Sequence, residues 1–210
     1  MLIEVFQDTV CPWCRIGERN LMKALEEWKG EPVEVQWRAF LLDPGVPEGG
    51  LPFKETLAAK FGSADRAEQA FGQVTQAGRA VGLDFHFDRV EFMPDTRLSH
   101  QVIALAPEER RTALVEAIHQ AYFENGKDIG SLDVLLEVVS GVGLDAAAIR
   151  QAVERGEGVA SVGADLEYAG QVGISGVPFF IIGGKYALTG AQPPETFLKV
   201  MQRVSEEEAE

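Results

Sequence analysis

The sequence predicts an α/β fold whose sheet is assembled from the two ends of the chain around a long helical block. Three observations predict it: a strand–helix–strand pattern at the N-terminus, near-continuous helical patterning up to about residue 172, and two short strands joined by Gly183-Gly184 before a last helix. With 210 residues, 46% of them hydrophobic, the chain can bury a core as one large domain or as a domain carrying an insertion.

The elements follow in order. Residues 2–6 are a short apolar run and read as a strand. Leu21, Leu25 and Trp28 fall at i, i+4 and i+7, so residues 12–28 form a helix with one buried stripe. Val33, Val35, Trp37 and Ala39 alternate with Glu34, Gln36, Arg38 and Phe40, the period-2 pattern of a second strand. A strand, a helix and a strand in so short a stretch make a βαβ unit with parallel strands. The Pro- and Gly-rich residues 43–52 are a loop. In the helical block that follows, local chemistry sets the limits: Ser63 as an N-cap, Pro94-Asp95 ahead of residues 98–105, Pro107 in a first turn, Ser131 before LDVLLEVV, Gly141 and Gly143 as stops, and Asp145 before AAAIRQAV. Within it, LDFHFDRV (83–90) reads as a short extended connection. Strand character returns at 179–182 and 185–189 across the Gly183-Gly184 turn. A final helix follows Pro193-Pro194, with Phe197, Val200, Met201 and Val204 on one face. This βαβ, helical block, ββα order is a thioredoxin-like fold with a large all-helical insertion. Residues 1–49 and 171–210 are expected to form the thioredoxin-like domain and 50–170 the insertion domain.

Charge narrows the partners. A net charge of −14, from 33 acids against 19 bases, argues against nucleic acid or an anionic membrane, whose binding needs clustered Lys and Arg. The SEEEAE run (205–210) reads as a solvated helix end or a frayed tail. The opening MLIEVFQD has no basic region and reaches an acid at Glu4, so neither a secretion signal nor a membrane span is expected, and the setting is taken as cytoplasmic. In that setting two cysteines are no disulfide framework.

Both cysteines lie in DTVCPWCRIGERN (8–20), where the first strand gives way to the helix. Unpaired N–H groups and the positive end of the helix dipole favour a thiolate on Cys11, while Pro12 gives up no hydrogen bond at the first helical position. Cys14, one turn inward, is placed to attack a mixed disulfide on Cys11. Cys11 is therefore expected as the exposed attacking sulfur and Cys14 as the shielded resolving one. Arg15 either supports the thiolate or points to solvent, and Trp13 shapes the docking surface. Two alternatives stand beside this reading. Half a zinc site finds only His86, His100 and His119, scattered without paired spacing, so no metal is expected. An inert buried pair is set against C-x-x-C beside a βαβ pattern, which is itself a redox signal.

Pro178, in SGVPFF, opens the late strand, where proline is confined to an edge, a bend or a cis bond. An ordinary trans proline is the commoner case taken alone, but combined with C-x-x-C the reading is a cis Val177–Pro178 bond, leaving the Val177 backbone to pair with an extended peptide. Five further features have readings of their own. His100 is a proton carrier over the site or a capped surface histidine. Asp8 is a proton acceptor for Cys14 or a cap of the following helix. Trp13 and Phe53 line an apolar groove for peptides. Phe179 and Phe180 belong to the core, and Gly183-Gly184 is a turn and not a phosphate loop.

CPWC opening a helix, FHFDRVEFMPDTRLSHQVI, AYFENGKDIG and GISGVPFFIIGGKYALTGAQPPETF together resemble the FrnE-like branch of the DsbA family, over residues 3–200. The resemblance implies a cytosolic thiol:disulfide oxidoreductase with Cys11 as nucleophile, Cys14 as resolving cysteine, Pro178 as the cis-proline facing them and Val177 before it. Pro12, Trp13, Val177 and Pro178 would then border the substrate. Partners would be protein or peptide thiols and disulfides, with glutathione a candidate redox partner and no metal or organic cofactor. Two departures weaken a strongly oxidising role: Trp13 stands where DsbA has histidine, and DsbA is exported. The chain also resembles 2-hydroxychromene-2-carboxylate isomerases and kappa-class glutathione transferases, which use bound glutathione and usually carry serine where this chain has Cys11. Glutathione-dependent isomerisation is thus the second enzyme reading. A peptide-binding, chaperone-like module is the reading from a different class.

Overall fold

The computed structural model describes residues 1–208, so the last two residues of the acidic run lie outside the described residues. In chain order the first half comprises β1 (Leu2–Gln7), α1 (Pro12–Glu27), β2 (Glu34–Ala39), β3 (Leu51–Pro52), α2 (Phe53–Phe61), α3 (Ala64–Ala80), a 3₁₀ turn (Phe87–Arg89) and β4 (Phe92–Met93). The second half comprises α4 (Arg97–Leu105), α5 (Glu108–Phe123), α6 (Leu132–Gly141), α7 (Ala146–Glu154), α8 (Val159–Gln171), β5 (Phe179–Ile182), β6 (Tyr186–Thr189) and α9 (Pro194–Glu208).

The main sheet has the order β2-β1-β5-β6. β1 runs parallel to β2, Leu2 opposite Glu34 through Gln7 opposite Ala39, and α1 supplies the crossover that a parallel pair requires. β5 pairs antiparallel with β1, Ile3 opposite Ile182 and Phe6 opposite Phe179, and β6 closes the edge. β1 is covered on both faces, which is why it reads as an apolar run with no clean alternation. Ile3 and Val5 join the main core; Phe6 joins a smaller cluster with Ala169 and Ile174. Against the main face lie α1, burying Ile16, Leu21 and Ala24, and α9, burying Phe197, Met201 and Val204. Phe180 of β5 meets Phe197 edge-on, with centroids 4.8 Å apart. The hairpin between β5 and β6 needs its glycines: Gly183 and Gly184 have φ of +60° and +65°, where side chains are strained.

The same apolar core continues into the insertion through Leu114, Val115 and Ile118 of α5 and Leu135 and Val139 of α6. Two caps are as expected: Ser63 Oγ accepts from Arg66 N–H at 3.2 Å, and Asp145 Oδ1 from Ala148 N–H at 3.0 Å. Ser131 occupies an N-cap position without a side-chain bond, and Pro107 precedes α5 as its cap residue. The insertion departs from an all-helical pattern in one place, where Leu51 pairs with Met93 and Pro52 with Phe92 in a two-stranded antiparallel ladder. The extended connection expected at 83–90 instead ends in the 3₁₀ turn, because Phe85 and Phe87 both turn inward onto Phe123, at 5.4 and 5.9 Å between centroids. Among the described residues no helix is long and apolar enough to cross a membrane.

Candidate active site

Cys11 is the N-cap of α1, in extended conformation, and its Sγ accepts a hydrogen bond from the Cys14 N–H at 3.3 Å. Pro12 occupies the first helical position, where no donor is lost. Sulfur thus does what the sequence reading offered to Asp8. The Asp8 carboxylate caps nothing in α1: its Oδ2 accepts from Leu42 N–H at 2.7 Å, tying the strand end to the loop after β2, while its carbonyl accepts from Cys11 N–H at 2.9 Å.

Facing the sulfur is the turn before β5. The Val177 carbonyl oxygen lies 3.7 Å from Cys11 Sγ, and the Val177–Pro178 peptide is cis. Gly17 lets α1 lie this close to the turn, since a Cβ there would sit 2.9 Å from Pro178 Cγ and 3.2 Å from Phe180 Cζ. Cys11, Pro12, Trp13, Val177 and Pro178 are therefore brought together, although their sequence separation exceeds 160 residues, as the 166-residue span from Cys11 to Val177 records.

Exposure corrects one expectation. Cys11 is 3% exposed and Cys14 2%, so Cys11 is not a protruding sulfur; of the motif, Trp13 protrudes, at 42%. The insertion and the Val177 turn close over the site. What separates the two thiols is direction: Cys11 borders a cavity, and Cys14 does not. Burial first, and then the hydrogen bond and charge of Cys11, hold the Cys14 thiol well above its ordinary value, against a backbone hydrogen bond from Asp8 that lowers it.

That cavity, of about 370 Å³, runs from Cys11 and Val177 into the insertion. Its far wall is aromatic: Phe71 stacks on Phe53 at 5.4 Å and on Phe87 at 4.6 Å, with rings within 22° of parallel. Trp13 and Phe53 both line it. Lys60 lines it too, paired with Asp43 at 2.6 Å. Phe71 and Phe87 carried no local signal, because they belong to a helix face and a turn that acquire meaning only when packed on Phe53.

On the opposite flank of α1 the surroundings are charged. Arg15 neither flanks the thiolate nor reaches solvent; it is buried among Glu18, Glu116 and Glu124, at 3.5, 3.2 and 3.3 Å. The cause is α5, which packs on α1 and brings carboxylates to the guanidinium. His119 is fully buried, with Nδ1 3.0 Å from Glu18 Oε2 and Nε2 3.4 Å from the Asp8 carbonyl. His100 is likewise no surface residue and does not line the cavity over the sulfur: its Nε2 lies 3.2 Å from the Phe40 carbonyl and 3.6 Å from Asp8 Oδ1, beneath the strand end. The Ser99 and Thr9 hydroxyls, 2.7 Å apart, pin α4 there. Glu18 and His119 are the residues that sequence reasoning missed. The i, i+3 spacing of Arg15 and Glu18 was a visible signal, whereas His119 lies 101 residues from its partner. Among the described residues no three metal-ligating side chains are grouped to hold a metal ion.

Comparison with known proteins gives the same architecture. Residues 2–202 match the family described as a DSBA-like thioredoxin domain. The uncharacterised protein YwbO of Bacillus subtilis (strain 168) is 28% identical over 203 residues, covering 95% of this chain and 94% of that protein. The crystal structure of a probable DsbA oxidoreductase from Streptomyces coelicolor is similar with a TM-score of 0.89 and 32% identity, over 99% of this chain and 91% of that one. The cytosolic disulfide reductase DsbM of Pseudomonas aeruginosa, solved with GSH, is similar with a TM-score of 0.68 and 20% identity, over 97% of this chain and all 100% of that one.

Proposed function

The chain belongs to the DSBA-like thioredoxin domain family, and from that membership we propose that it is a thiol:disulfide oxidoreductase working through Cys11 and Cys14. The observation that carries this is the arrangement of the pair: Cys11 Sγ caps α1 at the edge of the cavity, and Cys14 sits one turn behind it with its N–H on that sulfur. The 32% identical Streptomyces protein, named as a probable DsbA oxidoreductase, supports the reading.

The Cys11 thiolate attacks a disulfide sulfur of the partner; a mixed disulfide forms and the partner's second sulfur leaves as a thiolate, taking a proton. Cys14, losing its own proton, then attacks Cys11, closing the Cys11–Cys14 bond and releasing the reduced partner. The reverse sequence oxidises a dithiol. The Val177 turn and Trp13 border the sulfur that the partner approaches. The proposed partners are protein, peptide or low-molecular-weight thiols and disulfides in the cytoplasm; glutathione, held in the DsbM structure, is proposed as a redox partner on the same chemistry.

The test is the fraction of Cys11–Cys14 disulfide across a series of glutathione redox buffers, trapped by alkylation and read by intact mass. A reversible two-electron transition is expected, and its midpoint gives direction: near about −270 mV the protein is a reductant, near about −120 mV an oxidant. If no intramolecular disulfide forms, the proposal fails. The cavity beside Cys11, with room for a small molecule next to the sulfur, favours one second reading, glutathione-dependent isomerisation. That reaction needs no resolving thiol, so Cys14→Ser would retain it while losing disulfide turnover.

A further inference from the structure

We propose that the cavity beside Cys11 is a substrate pocket, and that the disulfides and thiols exchanged there are small, uncharged molecules carrying a flat ring. The inference rests on the oxidoreductase reading and names its substrate class.

Four observations carry it. First, access: Cys11 is 3% exposed yet borders the cavity, whose mouth is open beside the exposed Trp13 and Phe61, so a small molecule that enters the cavity meets the sulfur. Second, size: about 370 Å³ falls in the lower part of the roughly 300–1,000 Å³ range of small-molecule sites. Third, shape: Phe53, Phe71 and Phe87 form a mutually stacked trio, with Phe53 and Phe87 themselves 6.4 Å apart, so the lining includes phenyl rings within 22° of parallel, a surface that a flat ring can extend in offset fashion. Fourth, charge: the charged residues lining the cavity are Asp8, Asp43 and Lys60, and Lys60 is already held by Asp43 at 2.6 Å. No cation is left over for a carboxylate, and an anion brought into an apolar cavity without a partner loses its hydration uncompensated. The pocket therefore slows the reaction of anionic disulfides, glutathione disulfide included, relative to neutral ones, and leaves glutathione a redox partner at equilibrium.

With such a substrate Ar–S–S–Ar, the Cys11 thiolate forms Cys11–S–S–Ar while the Ar–S–S–Ar bond breaks, and one ArS⁻ leaves and takes a proton. Cys14 releases its proton, attacks the Cys11 sulfur and expels the second ArS⁻, which is protonated in turn. The substrate gains two electrons from the cysteine pair and two protons, one from Cys14 and one from the solvent that took up the Cys11 proton when the thiolate formed.

The test compares two aryl disulfides of similar reactive core, neutral dithiodipyridine and dianionic dithiobis(nitrobenzoate), reacted with the reduced protein. Each rate constant is normalised to that of N-acetylcysteine, which removes intrinsic reactivity. The expected result is a normalised preference of about tenfold or more for the neutral probe, in the range a well-fitted pocket gives. Ala70→Trp, which fills the cavity, and Phe71→Ala, which removes one ring of the stacked trio, should each reduce that preference toward one. Equal normalised rates in the wild-type protein overturn the proposal whether or not the variants fold, as does a preference that survives both substitutions in folded protein. Capture by Cys11 needs one sulfur only. Failure of Cys11–Cys14 disulfide formation both in glutathione buffers and with excess neutral dithiodipyridine therefore sinks the oxidoreductase reading independently of the probe preference.

Discussion

The two flanks of the first turn of α1 are built from opposite materials. On one side Cys11 borders a cavity walled by Phe53, Phe71 and Phe87; on the other Arg15 and Glu18 are packed among Glu116, Glu124 and His119, beside an open groove edged by charged side chains. The apolar flank can receive something, because stacked rings leave room and form no specific bonds across it. The charged flank is held by directional ion pairs and hydrogen bonds, so it fixes how α1 sits on α5. The difference teaches that reactivity and placement at this site are handled by separate sets of residues, Cys11 for one and, from four positions on, Arg15 and Glu18 for the other.

Four substitutions or conditions bear on that comparison. Cys11→Ser should abolish disulfide turnover altogether while leaving the fold, because it removes the sulfur facing the cavity; the check is turnover against far-ultraviolet circular dichroism. Glu18→Leu should be the most damaging change to stability, about 1–3 kcal/mol in urea unfolding, since it leaves the fully buried His119 Nδ1 without its partner and takes one of three carboxylates from Arg15. A loss below about 1 kcal/mol would mean that the charged flank does not hold α1 in place.

The third concerns pH. Because Cys14 is raised in the folded protein, the folded state keeps a proton that the unfolded chain releases above its ordinary thiol value of about 8.5. The stability contributed by the reduced Cys14 is thus fully present below that value and is lost as pH rises through it toward the folded value, by at most about 1.4 kcal/mol per pH unit. The oxidised protein has no such proton. Urea unfolding of both forms from neutral to alkaline pH should show the reduced form losing ground, and parallel curves would contradict the assignment.

The smallest effect is expected for Gly17→Ala. The added methyl, 2.9 Å from Pro178 Cγ, costs about 1–3 kcal/mol of overpacking, offset by about 1 kcal/mol of helix propensity. A net loss of about 1 kcal/mol is predicted, with slower exchange as the Val177 turn moves from Cys11. An unchanged rate would show that the turn's approach does not matter.

Much of the fold was legible because its signals are local. β5 occupies the residues predicted for it, the Gly183-Gly184 turn is where two adjacent glycines demand it, and Ser63 and Asp145 cap as their side chains dictate. The cysteine pair and Val177-Pro178 were legible from the motif and from proline chemistry. What could not be read depends on packing at long range. Arg15 lost its expected freedom to carboxylates about a hundred residues away, His100 went under the strand end, and Cys11 was closed over by an insertion whose position no periodicity encodes. The short β3–β4 ladder was invisible for another reason: two residues are too few to show a period.

The most direct test of the central claim, that Cys11 attacks and Cys14 resolves, is the rate of iodoacetamide alkylation at each cysteine of the reduced protein, resolved by peptide mass across pH. The account predicts that Cys11 is modified first throughout and that Cys14 stays unreacted well into the alkaline range. Alkylation of Cys14 ahead of Cys11, or of both together, would contradict it.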